Sequence, residues 1–111
     1  MKIVQQYRDV EPELPEGEGI RIHWVVDKPD GAPNFAMRLI EVDPGCSTPY
    51  HTHAHEHEVF IVAGEAMVSS KNGATPIRAG SAVFVQPNEE HNFENTGNDV
   101  LKFICVVPHY R

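Results

Sequence analysis

The sequence predicts an all-β domain, a small barrel or jelly roll, on three observations. Apolar and polar residues alternate at period two in short runs, glycine, proline and asparagine punctuate those runs at regular spacing, and apolar residues nowhere recur at helical spacing over a useful length. At 111 residues the chain is expected to form one domain, 1–111, large enough for a single core without disulfide help.

Residues 1–19 carry Glu11, Pro12, Glu13, Pro15, Glu16, Gly17, Glu18 and Gly19, an acidic stretch without periodicity that reads as an N-terminal arm. Ile20, Ile22, Trp24 and Val26 then alternate with Arg21, His23 and Val25 in a half-buried strand, which puts Arg21 and His23 on its wet face. Lys28-Pro29-Asp30-Gly31 is a turn by composition. Residues 34–42 are apolar on both faces apart from Arg38 and Glu41, as expected of a strand between a barrel interior and another layer, and parity alone does not orient Arg38. Two strands, 59–63 and 66–70, flank Gly64-Glu65, and Lys71-Asn72-Gly73 is expected to form a type I′ hairpin turn with 75–78 pairing back. Segments 82–86, 91–94 and 100–107 add three more strands, for about nine in all. In the last of them Lys102 marks the outer face, so Leu101, Phe103, Cys105 and Val107 point inward, with Leu101 and Val107 read as core filling.

Composition excludes several classes of function. A net charge of −7 with a pI near 5.4 argues against nucleic-acid partners and against an anionic membrane surface. Residues 1–10 lack the apolar stretch of a signal peptide, no apolar run is long enough to cross a membrane, and Cys46 and Cys105 are too few for a disulfide framework. The expected location is the cytoplasm.

Chemistry concentrates in His51-Thr52-His53-Ala54-His55-Glu56-His57-Glu58, which holds four of the seven histidines. On an extended strand His51 and His53 share a face and can present two imidazole nitrogens to one cation. A short turn around Ala54 and His55 brings His57 back over the same point. His91 is the expected fourth ligand: Asn92 and Glu94 share one face of their strand, which leaves His91 and Phe93 facing inside. Glu58 competes with His57, and because adjacent residues face opposite ways only one of the two can face the cation. His55 and Glu58 are expected to stay outside the ligand set. A solvated histidine-rich loop is the plain alternative, and the glycines and apolar runs that frame the segment argue against it.

These residues resemble the cupin superfamily. Its first motif, G-x5-H-x-H-x3-E-x6-G, is matched over 45–64 by Gly45, His51, His53 and Gly64, with His57 in the place of the glutamate. Its second, G-x5-P-x-G-x2-H-x3-N, is matched over 80–95 by Gly80, His91 and Asn95, with Gln86 for the proline and Asn88 for the glycine. Asparagine tolerates the left-handed conformation, so the Asn88 departure is mild. More narrowly, Ala32 to Leu39, Glu56 to Phe60 and Phe103 to Pro108 look like the small four-histidine, manganese-type cupins.

That resemblance implies a double-stranded β-helix fold, a homodimer and a pocket above one divalent metal per chain, lined by Phe93, Phe103, Cys105 and Arg38. For Arg38 a surface ion pair is the equal alternative. Manganese or iron is favoured for the metal, and zinc, nickel and copper also suit imidazole. Three functions follow as expectations. The first is a dioxygenase-like oxidoreductase cleaving a small unsaturated or aromatic substrate. The second is a Lewis-acid isomerase or lyase, disfavoured because no interior acid–base pair is visible. The third is a binding or sensing module with a structural metal.

Overall fold

Period-two alternation is realised as eight antiparallel strands in the computed structural model, which describes residues 1–15 and 18–109; Glu16 and Gly17 of the expected arm lie outside the described residues. The strands are β1 (Ile20–Val26), β2 (Phe35–Val42), β3 (His57–Ala63), β4 (Glu65–Ser70), β5 (Gly73–Arg78), β6 (Ala82–Val85), β7 (His91–Asn95) and β8 (Leu101–Pro108). They form a five-stranded sheet in the order β1-β2-β8-β3-β6 and a three-stranded sheet in the order β5-β4-β7. This arrangement of two antiparallel sheets is the expected jelly-roll barrel.

Burial follows parity closely in the strands that bear the site. In β8, Leu101, Phe103, Cys105 and Val107 are buried and the residues between them are not; in β3 the same holds for His57, Val59 and Ile61, and in β7 for His91, Phe93 and Asn95. Val42, Ile61, Leu101 and Phe103 are the largest fully buried side chains, so the core sits on the inner face of the larger sheet. Asn95 serves this core as a connector. Its amide donates to the carbonyls of Val42 at 2.8 Å and Asp99 at 2.9 Å, and its carbonyl oxygen accepts from Gly97 N–H at 2.9 Å. Gly64, between β3 and β4, has φ +95°, and a Cβ there would lie 3.1 Å from Leu101 Cα, so both conformation and space select glycine.

Three expectations are corrected. His23, expected on a wet surface, is 4 % exposed. It does face outward, but the arm covers it: the Tyr7 ring meets it edge-on at 5.1 Å, and His23 Nδ1 lies 2.8 Å from the Val10 carbonyl, to which it donates. The same arm reaches β2, where Tyr7 donates to Glu41 at 2.5 Å beside the Arg21–Glu41 pair at 2.7 Å, and Glu13 exchanges two backbone hydrogen bonds with Ile22. Burial works to raise the Glu41 carboxyl, and the Arg21 and Tyr7 donors outweigh it, leaving Glu41 ionised below the usual carboxylate range.

The hairpin turn also differs. Type I′ needs positive φ at both central residues, yet Asn88 is the one non-glycine residue with positive φ among those described, so Lys71 and Asn72 do not adopt it; Gly73 takes the positive φ, at 125°. The expected extended strand at His51–His53 is reduced to a single bridge, His51 to His91, within an irregular segment. That accounts for eight strands where about nine were expected.

Candidate metal centre

His51, His53, His57 and His91 reach the site by three different supports. The segment before β3 runs antiparallel to β7: Ser47 bridges Glu94, Thr48 N–H donates to the Phe93 carbonyl at 2.9 Å, and Thr48 Oγ1 accepts from Phe93 N–H at 2.9 Å. At its end His51 and His91 exchange backbone hydrogen bonds of 3.3 and 3.2 Å. The His53 carbonyl accepts from Asn88 N–H at 2.6 Å, at a turn where Asn88 has φ +66°. The left-handed conformation that asparagine tolerates therefore pins a histidine of the first motif from within the second. His57 is supplied by β3 itself, facing inward, while Glu58 faces out and is exposed.

Their rings converge. The Nε2 atoms of His51 and His53 lie 2.5 Å apart, so at most one of them carries a proton. Ring centroids are 5.0 Å apart for His53–His57, 5.3 Å for His57–His91 and 5.9 Å for His51–His91. His91 Nδ1 lies 2.8 Å from the Glu89 carbonyl, and the His51 ring hydrogen-bonds the backbone of Pro49, so one ring nitrogen of each is committed as a donor and the other is left bare. His57 Nε2 is buried with no hydrogen-bond partner, which is costly for a polar atom unless something absent from the protein alone completes it. A convergent set of neutral imidazoles around such an orphan fits a divalent transition metal.

His55 is the residue that sequence reasoning placed outside. It lies beside the others, its ring stacked on His53 at 5.2 Å and 4.9 Å from His57, and ligand atoms of His53, His55 and His57 fall within 4.8 Å of one another, a triad able to hold a metal. The signal for it was available in parity: His51, His53, His55 and His57 are all less exposed than the residues between them, although this stretch is mostly not strand. What separates His55 from the rest is the pocket, which it does not line.

That pocket, about 240 Å³, is bounded by the four other histidines and by apolar walls that include Ile40, Val59, Phe93 and Phe103. Phe93 and Phe103 pack at 5.0 Å between centroids, and Phe93 sits edge-on to His91 at 6.0 Å. Arg38 points inward, opposite Cys105 in the β2–β8 ladder. Its Nη2 donates to Cys105 Sγ at 3.0 Å, its guanidinium stacks over Trp24 at 5.2 Å, its Nε is buried without a partner, and no carboxylate lies within ion-pair distance among the described residues. The surface ion pair considered for Arg38 is thus not formed. Every residue expected at the pocket, Arg38, Phe93, Phe103 and Cys105, lines it.

A barrel of two antiparallel sheets enclosing an apolar pocket with clustered histidines defines a small β-barrel protein with a candidate metal site. A family model described as the cupin domain matches residues 38–107, and the chain belongs to that family. An oxalate-binding protein of Thermotoga maritima is 36% identical over 69 residues, which is 61% of this chain and 57% of that protein. Among solved structures, a polyketide cyclase from Streptomyces resistomycificus superposes with a TM-score of 0.90 at 28% identity, covering 100% of this chain and 82% of its own. A cupin 2 domain-containing protein from Halorhodospira halophila gives 0.76 at 33% identity over 81% of this chain and 64% of its own. No helix among the described residues is long and apolar enough to cross a membrane.

Burial and neighbouring groups that carry or could carry positive charge favour the neutral form of His51, His53 and His57. Burial first, then Arg38, lowers His57 to about 3; burial first, then His51, lowers His53 to about 4; His51 is lowered too, by burial and then His91. Because these folded values lie below the ordinary histidine value of about 6.5, the unfolded chain takes up protons first as pH falls. The metal-free protein is therefore expected to be most stable above pH about 6.5 and to weaken progressively below it. Denaturant midpoints at pH 7 and pH 5 check this: the midpoint should drop, and the drop should shrink in His57→Gln. Equal midpoints would contradict it.

Proposed function

We propose that this cupin binds one divalent transition metal, manganese or iron before zinc, nickel or copper, through His51, His53, His57 and His91, and that it is an O2-dependent oxidoreductase acting on a small unsaturated or aromatic molecule. The observation that carries this reading is the pocket lining: imidazoles stand against apolar walls, and among the described residues that line it none is a carboxylate. A Lewis-acid isomerase or lyase needs a positioned acid–base group beside the metal, and the four imidazoles of the lining are here assigned to the metal itself, so redox chemistry is favoured.

When bound, the metal supplies a +2 charge, undiminished by any carboxylate ligand, and an electron path between an organic molecule and oxygen. The protein's own contribution is positional. Phe93 and Phe103 offer a flat apolar surface that orients a planar substrate and excludes water, and Arg38 Nε offers an unpaired donor to an acidic substituent. Oxidative cleavage of a C=C bond by one O2 yields two carbonyl groups, one oxygen atom going to each, so no further reductant is required.

A second reading rests on Arg38 together with the likeness to an oxalate-binding protein: a pocket that binds a small carboxylate without turning it over. Oxygen uptake with styrene-like, phenolic and dicarbonyl compounds and with oxalate, under manganese and under iron, separates the two. At least one unsaturated or aromatic compound should consume oxygen. His53→Ala should lose metal and activity together, whereas Phe103→Ala should change substrate preference and keep its metal. Saturable oxalate binding with no oxygen consumed by any compound would replace the oxidase reading, as would anaerobic isomerisation of one of them.

A homodimer belongs to the same proposal. The arm lies on its own sheet, and the outer face of that sheet exposes Phe35, Met37, Phe60, Val62 and Phe84 across β2, β3 and β6. An apolar strip of this kind is stabilised by burial against a second copy. The free cysteines, Cys46 and Cys105, suit the reducing cytoplasm. Light scattering should give twice the 12.4 kDa chain mass, and a monomer at micromolar concentration would contradict the dimer.

A further inference from the structure

His57 poses a problem that His51 and His91 do not. A neutral imidazole carries one proton, and a ring that offers Nε2 to a metal must carry it on Nδ1 and donate it to an acceptor. His91 and His51 use the backbone of Glu89 and Pro49. His57 lies on β3, which is flanked by β8 and β6 on its two sides, so the neighbouring backbone carbonyls are engaged in the ladders.

Two side-chain atoms lie near His57 Nδ1: Cys105 Sγ at 3.3 Å and Arg38 Nη2 at 3.5 Å. They favour opposite tautomers. Arginine can only donate, so a hydrogen bond from Arg38 would require a bare Nδ1 and would leave the proton on Nε2, aimed among the other histidines where a cation would sit. A thiol can accept as well as donate, and with its own S–H turned away from the ring Cys105 accepts, which puts the proton on Nδ1 and leaves Nε2 bare. The distances rank them. Arg38 Nη2, which carries two N–H groups, is 3.0 Å from the sulfur and 3.5 Å from the ring, so its shorter hydrogen bond goes to Cys105 and its contact with His57 is the weaker one. Register builds the arrangement, since Cys105 is paired with Arg38 on one side and with Val59, two residues from His57 on the same face of β3, on the other.

We infer that Cys105 is a positioning residue for the metal centre: its sulfur accepts the Nδ1 proton of His57 while Arg38 holds that sulfur in place, fixing the tautomer that leaves Nε2 bare. The significance for the site rests on His57 being a ligand, as proposed above. The tautomer itself is a property of the metal-free protein.

Long-range proton–nitrogen NMR correlations of the histidine rings in metal-free, nitrogen-15-labelled protein read it directly, with His57→Gln providing the assignment. Wild type should show the Nδ1–H form of His57. Cys105→Ser, which keeps an acceptor, should retain it. Cys105→Val, with Cys105→Ala as a second acceptor-free variant should valine disturb folding, should shift His57 toward Nε2–H and weaken Mn2+ binding about 10- to 100-fold in a chelator competition. An Nε2–H tautomer in wild type, or one unchanged by loss of the sulfur, overturns the inference. If instead the tautomer responds as stated but His57→Gln binds Mn2+ like wild type, the ligand assignment fails and the role of Cys105 toward the metal fails with it.

Discussion

Two backbone hydrogen bonds between His51 and His91 join the halves of the chain on which the site depends. One histidine belongs to an irregular segment entering the larger sheet and the other to the first residue of β7 in the smaller sheet. Without that bridge the imidazoles would have no common point to face. Asn88 adds a second tie by donating its N–H to the His53 carbonyl from a left-handed turn. The two motifs are thus mechanically one unit, held by main-chain bonds that do not depend on which side chains meet between them.

The core behind this unit explains why His51, His53 and His57 stand as neutral imidazoles rather than as a charged cluster. Val59, Phe93 and Phe103 exclude water from one side of the rings, and Arg38 places a permanent cation on another. Both effects disfavour imidazolium, so protons compete poorly for the nitrogens that a metal would use. Burial also pushes the Cys105 thiol up against the pull of Arg38, which keeps the sulfur a neutral acceptor beside that cation.

Much of this was legible in the sequence where one face of a strand meets the core and the other does not. Alternation placed His91, Phe93, Phe103 and Cys105 inside, and the resemblance to the first cupin motif, together with parity, selected His57 over Glu58. It failed where a face is covered by something parity cannot see. His23 was assigned to solvent because period two reports direction and not the arm that lies over it. Arg38 could not be oriented because β2 is apolar on both faces, the outer one in contact with the arm at Glu41. Only the pairing of Arg38 with Cys105 resolves it, and register is not written in either strand alone. His55 was set aside because a turn was expected to carry it away, whereas the bend leaves its ring stacked on His53.

The central claim is the identity of the nitrogens that hold the metal, since His55 and His91 both lie next to His53 and His57. Anomalous diffraction at the manganese edge from metal-loaded crystals of untagged protein decides it most directly. The account predicts one peak per chain, roughly 2.0–2.3 Å from ring nitrogens of His51, His53, His57 and His91, extending the usual zinc–nitrogen distance for a larger ion. A peak held by His53, His55 and His57, with His91 out of reach, would contradict it.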